Sequence, residues 1–127
     1  MRPSYSAYIY ALSSFLKCSF PNLKIKHYSK LPKGIAGRCS YKQNWIKIAA
    51  PDVMTAREAL ITLAHEGGHY WSYIRSKTEK DFEEYNNLDR RELLAYLYGW
   101  ALITLIGAKS VISKEEWRDY HNYGTRK

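Results

Sequence analysis

The chain has 127 residues, a length suited to one domain spanning 1–127 with a sizeable core. An apolar fraction of 46%, with 15% aromatic residues, excludes a disordered or low-complexity chain. The net charge of +8, from 20 Lys and Arg against 12 Asp and Glu, suits nucleic acid, an anionic membrane or an acidic protein without choosing among them, because the basic residues are scattered along the sequence.

In chain order, residues 5–20 predict an amphipathic helix: Tyr8, Ala11, Leu12, Phe15 and Leu16 recur at helical spacing and Pro21 stops it. Residues 23–49 change to short alternating runs, read as strands at 23–28, 35–41 and 45–49 of a small antiparallel sheet. Pro32-Lys33-Gly34 and Gln43-Asn44 supply the bends. Pro51 and Asp52 close that region, and Thr55-Ala56-Arg57-Glu58 forms a capping box that opens a helix running to about residue 76. Leu60, Ile61, Leu63, Ala64, Trp71 and Ile74 give this helix a broad buried side. A polar connection follows at 77–87, then a helix at 88–106 before Gly107. Ser113-Lys114-Glu115-Glu116 caps a last helix carrying Trp117 and Tyr120. The expected class is therefore α+β, with about three strands packed against about four helices.

Residues 93–108 carry no charge, yet the stretch is shorter than the roughly 18 residues of a spanning helix, so it reads as a buried central helix rather than a membrane segment. Cys18 and Cys39 have no C-x-x-C partner and read as buried thiols. The N-terminus has Arg2 but no unbroken apolar run before Ser13, so a cytoplasmic rather than a secreted location is expected.

His65-Glu66-Gly67-Gly68-His69 is the stretch that carries chemistry. On a helix, positions 65 and 69 lie about 40° apart around the axis and about 6 Å apart along it, so both imidazoles can reach one ion. A catalytic zinc takes three protein ligands and leaves a fourth position for water. Downstream candidates for the third ligand are Glu79, Asp81, Glu83, Glu84, Asp89, Glu92, Glu115, Glu116, Asp119 and His121. Glu92 stands out, because it opens the most apolar segment and shares a helix face with the small residues Ala95 and Gly99. Gly67-Gly68 is a second small pair, and glycine in a helix interior costs about 1 kcal/mol relative to alanine; close approach of two helices around a shared ion would account for both. Glu66 falls beside the ion, placed to take a proton from zinc-activated water and pass it to a leaving amine.

With its flanks Leu60-Ile61-Thr62-Leu63-Ala64 and Glu92-Leu93-Leu94-Ala95, the motif resembles the zincin-like metallopeptidases with a glutamate third ligand, and is most similar to the compact ImmA/IrrE type of bacteria and their mobile elements, phages included. The likeness covers residues 45–106. It implies a zincin-like fold with the motif on a central helix, Zn2+ held by His65, His69 and Glu92, and Glu66 as the catalytic base. It also implies hydrolysis of a peptide bond in a specific cytoplasmic protein, with residues 45–49 as the edge strand that pairs with an extended substrate. The position after Ala95 is Tyr96, where the family commonly has Asp or Asn. The alternative expectation is a basic binding protein on the same fold, gripping a protein or nucleic acid without cleaving it. Oxyanion assistance could come from Tyr70, Tyr73, Tyr96, Tyr120, His121 or Tyr123.

Overall fold

A side-chain hydroxyl marks the start of three helices. Ser4 Oγ accepts from the Ala7 amide at 3.2 Å, Thr55 Oγ1 from the Glu58 amide at 3.1 Å, and Ser113 Oγ from the Glu116 amide at 3.1 Å. Each satisfies an amide that the first helical turn would otherwise leave without a partner. A computed structural model describes residues 4–28, 37–40, 42–49, 55–78 and 88–125. Within them lie four α-helices, α1 (Tyr5–Ser19), α2 (Ala56–Thr78), α3 (Leu88–Leu105) and α4 (Lys114–Thr125). A 3-10 turn at Ala108–Ser110 precedes α4, and the strands are β1 (Lys24–Tyr28), β2 (Gly37–Ser40) and β3 (Trp45–Ala49). The class is α+β.

The sheet order is β1-β3-β2, which corrects two expectations. Only β2 and β3 pair antiparallel, joined by a short turn in which Asn44 takes a φ of 56°, a conformation asparagine tolerates better than most residues. β1 pairs with β3 in parallel, Ile25 opposite Ile46 and Lys26 opposite Lys47. The chain reverses twice between β1 and β3, which restores its direction, and β3 enters between the two earlier strands. The sheet is thus mixed rather than antiparallel. β3 is accordingly the central strand and not an edge, since both sides of its backbone are already paired.

Helix α2 lies at the centre, against α1, α3, β2 and β3. Ile46 and Ile48 on the inner face of the sheet, Leu60, Leu63 and Ala64 on α2, and Leu12 and Leu16 on α1 form one core with Leu102, Ile103 and Trp117. Alternation along β3 sends Trp45 and Lys47 to the opposite face. Two burial expectations need revision. Cys18 is exposed, because it falls across the α1 axis from the inward row of Tyr8, Leu12 and Leu16. Helix α3 is buried on one side only: Ala95, Leu102 and Ile103 point inward, while Leu93, Leu97 and Leu105 are more than half exposed. No helix among the described residues is long and apolar enough to cross a membrane.

The predicted bends at Pro32-Lys33-Gly34 and at Pro51-Asp52 lie outside the described residues, as do the ends of the predicted 35–41 strand and most of the 77–87 connection.

Candidate metal centre

The distance between α2 and α3 sets this site, and glycine sets the distance. A β-carbon added at Gly68 would lie 2.6 Å from the Ala95 carbonyl oxygen and 2.7 Å from the Gly99 nitrogen; one added at Gly99 would lie 2.9 Å from the Ala64 carbonyl oxygen. The two backbones touch where either side chain would separate them. Gly67 plays a different part, facing the side chains of Leu16 and Leu102. Trp117 packs against Gly99 on the same side as the Ala64 carbonyl, and its indole Nε1–H donates to the Tyr96 carbonyl at 3.1 Å.

One turn from this contact, α2 presents His65 and His69 and α3 presents Glu92. The Glu92 carboxylate lies 3.4 Å from His69 Nε2 and 3.7 Å from His65 Nε2. The rings of His65 and His69 meet edge to face at 4.7 Å, and the three ligand atoms all fall within 4.8 Å of one another. A tetrahedral zinc about 2.0–2.1 Å from each donor holds neighbouring donors about 3.3 Å apart. The two Glu92 contacts, one from each carboxylate oxygen, lie near that spacing, and the full set of three, within 4.8 Å, would draw in slightly around an ion. Two imidazole nitrogens and a carboxylate oxygen are also a donor set zinc accepts, with one position left over. The residues fit the ion.

Glu66 lies beside this set and not in it. It is buried, 8% exposed, and its carboxyl group is pushed up to about 7: burial raises it, the His69 ring pulls it back and the Glu92 carboxylate adds to the rise. Strand β2 covers it, since a β-carbon at Gly37 would come within 3.2 Å of Glu66 Cγ and 2.7 Å of Thr62 Cγ2. Any side chain at position 37 would push into Thr62 and Glu66. On the same strand, burial and then the Glu66 charge push the Cys39 thiol well up, so it is held as a neutral thiol beside the carboxylate.

Helix α4 adds Tyr120. Its ring stands edge to face on His65 at 5.6 Å. Burial raises its hydroxyl above the ordinary tyrosine value, with the Thr62 side chain pulling the other way and Glu66 and Glu92 both adding to the rise, so the hydroxyl keeps its proton among these groups. Among the other oxyanion candidates, the Tyr70 hydroxyl donates to Asn44 Oδ1 at 2.6 Å, out at the β2–β3 turn. Tyr96 packs against Trp117, and Tyr73 sits half-buried a turn beyond His69 on α2. The side chains of His121 and Tyr123 lie outside the described residues.

The structure thus brings together His65, Glu66, His69 and Glu92. Among the rejected third ligands, Glu116 pairs with Arg57, and Glu115 and Asp119 are exposed on α4. Glu79, Asp81, Glu83, Glu84 and the side chain of Asp89 lie outside the described residues. Sequence reasoning missed Gly37, although a glycine inside a strand is itself a signal of close backbone approach. No family model, curated protein or solved structure matches the chain.

Proposed function

We propose that the protein is a zinc-dependent metallopeptidase of zincin-like build, resembling the ImmA/IrrE type and acting on a specific protein in the cytoplasm. The observation that carries this reading is the meeting of His65, His69 and Glu92 from two helices, with a buried Glu66 directly beside them. Zinc, when bound, supplies Lewis acidity that acidifies water and polarises the scissile carbonyl. Glu66 takes the proton of the attacking water and hands it to the leaving amine; a carboxyl poised near neutrality is matched to both transfers. Tyr120, kept protonated, donates a hydrogen bond to the oxygen on which negative charge develops. An extended peptide pairs with β2, the sheet edge that lies over Glu66, rather than with the central β3.

A binding module on the same fold would have no use for Glu66. Keeping a carboxylate in a buried position opposes folding at neutral pH, and glutamine would fill the same space without a charge.

The test joins metal content to turnover. The purified protein is expected to hold about one zinc per chain, and Glu66→Gln to keep the metal while generating no new termini in a proteome-derived peptide library read by mass spectrometry. Equal cleavage by Glu66→Gln would remove the base from the reading. A chain that binds no zinc even after reconstitution would remove the whole of it.

A further inference from the structure

The outer face of the sheet is the one turned away from α2, and alternation along each strand decides what stands on it. Register places Lys26, Lys47 and Arg38 side by side in one row across β1, β3 and β2. Arg38 ends that row. Among the described residues no strand pairs with the far side of β2, so a further strand added at this edge would stand next to Arg38. The Arg38 side chain is exposed, and its neighbours Gly37 and Cys39 are half-buried.

Those neighbours fix where along β2 a bound peptide meets the chemistry. A β-carbon at Gly37 would fall 3.2 Å from Glu66 Cγ, and the Cys39 thiol lies within reach of the Glu66 charge. Gly37 and Cys39 therefore point inward over the base, and Arg38 between them points outward. A peptide extended along this stretch alternates in the same way, whichever direction it runs. The residue paired with Arg38 turns its side chain outward, and the residues before and after it turn theirs inward, toward Glu66. Across a sheet, paired β-carbons stand about 4.5–5.5 Å apart, close enough for opposite charges to attract and like charges to repel. A guanidinium at that distance presents forked donors that match a carboxylate and has nothing to offer an ammonium.

We propose that Arg38 is a specificity-determining residue, selecting substrates in which an aspartate or glutamate, paired with Arg38 on the open edge of β2, lies within two residues of the cleaved bond. This selectivity rests on the peptidase reading and names its substrate class: an extended segment with one acidic side chain turned outward between two that face the site. A lysine or arginine at the same substrate position is disfavoured by direct repulsion.

The test is selection of random phage-displayed peptides on the zinc-loaded full chain carrying Glu66→Gln, which is expected to hold a peptide without cutting it. One acidic position should be enriched, and adding Arg38→Glu should enrich Lys or Arg there instead. Synthetic peptides differing only in Glu or Lys at that position are expected to differ about fivefold in Kd at low salt by fluorescence anisotropy, in opposite senses for the two proteins. High salt should shrink the difference. Arg38→Glu sets an acid opposite Lys47 across the β2–β3 pairing and so spares the fold. Lys24→Glu makes the same change of charge on β1, at the other edge, and is expected to keep the preference for an acid, which separates pairing at β2 from the general pull of a +8 chain. Methylating the peptide amide nitrogens one at a time is expected to weaken binding at alternate residues, as pairing along one edge requires. The same peptides selected with and without Arg38→Glu, an equal shift in Lys24→Glu, or no enrichment at all would overturn the proposal, leaving Arg38 as a charge that guards an edge strand against self-association. Cleavage of the selected peptides by the chain with Glu66 intact is read separately. A preference that follows Arg38 in peptides that are never cut would sink the peptidase reading and keep the edge as a binding surface for acidic strands.

Discussion

The seam between α2 and α3 and the outer face of the sheet are built on opposite terms. At the seam, backbone touches backbone through Gly68, Ala95 and Gly99, and the positions of three ligand atoms follow from that contact. On the outer sheet face, register fixes the rows in which Lys24, Lys26 and Arg38 stand, and those three side chains are exposed. A site for a small ion needs tolerances of tenths of an ångström, which only packed backbone supplies. A face of exposed charged side chains sets no such tolerance. The difference also predicts how each region answers to change: the seam through sterics and protonation, the sheet face through salt.

The largest effect is expected where the seam meets the inner side of the sheet, at Glu66. Its carboxyl titrates near 4.5 in the unfolded chain and near 7 in the metal-free folded one. A raised folded value means that the folded state holds the proton more tightly. The stabilisation is therefore complete below pH about 4.5 and is lost as pH rises through about 7, by an amount on the order of 3 kcal/mol. Denaturant unfolding of the metal-free protein across that window should show the decline, and Glu66→Gln should flatten it. Zinc should flatten it too, since a cation favours the carboxylate. A profile that rises with pH, or one unchanged in Glu66→Gln, would place Glu66 in a wetter setting than the packing of Gly37 implies.

Next comes Tyr120→Phe, which removes one hydroxyl and leaves the ring on His65. If that hydroxyl meets the developing oxyanion, kcat should fall about a hundredfold with zinc content and KM little changed. A fall in zinc content instead would make Tyr120 a support for His65 alone.

Gly68→Ala tests the seam itself. Alanine favours a helix over glycine by about 1 kcal/mol. Against this, its methyl would meet the Ala95 carbonyl and the Gly99 nitrogen, both backbone atoms that cannot swing aside. Overpacking of this kind costs about 1–3 kcal/mol or more, so the expected outcome is a net loss of about 2 kcal/mol with weaker zinc binding as α3 carries Glu92 away. The loss of thermal stability and the zinc titration should move together.

What could be read from the sequence divides along the same line. The α2–α3 seam was legible because its signals are local. Thr55 and Ser113 cap within three residues of themselves, the motif spacing is a property of one helix, and Glu92, Ala95 and Gly99 share a face by periodicity alone. The sheet was legible strand by strand, with Trp45–Ala49 found at its observed ends, but not as a sheet. Which strand takes the middle depends on how residues far apart in the chain meet, and a hairpin reading of successive runs makes every pair antiparallel. The same blindness kept Gly37 from being linked to Glu66, and left Tyr120 as one tyrosine among several, since α4 must return over α2 before its ring can reach His65. Among these residues nothing in one stretch of sequence announces the other.

The smallest effect separates the members of the cation row. Lys26→Gln and Arg38→Gln each remove one like-charge pairing with Lys47, and each should stabilise the fold by about 0.3 kcal/mol at low salt, at the weak end of cross-strand pair energies. Lys47→Gln removes both pairings and would be expected to help most. It also removes the ammonium from above Trp45, a contact worth about 0.5–1 kcal/mol at a surface. The ring contact offsets the relieved repulsion, so Lys47→Gln should gain less stability than the other two variants together. Raising salt should erase the gains of the first two variants by screening the repulsion they relieve. A gain for Lys47→Gln as large as the sum of the other two would mean that the ring contact contributes nothing to folding.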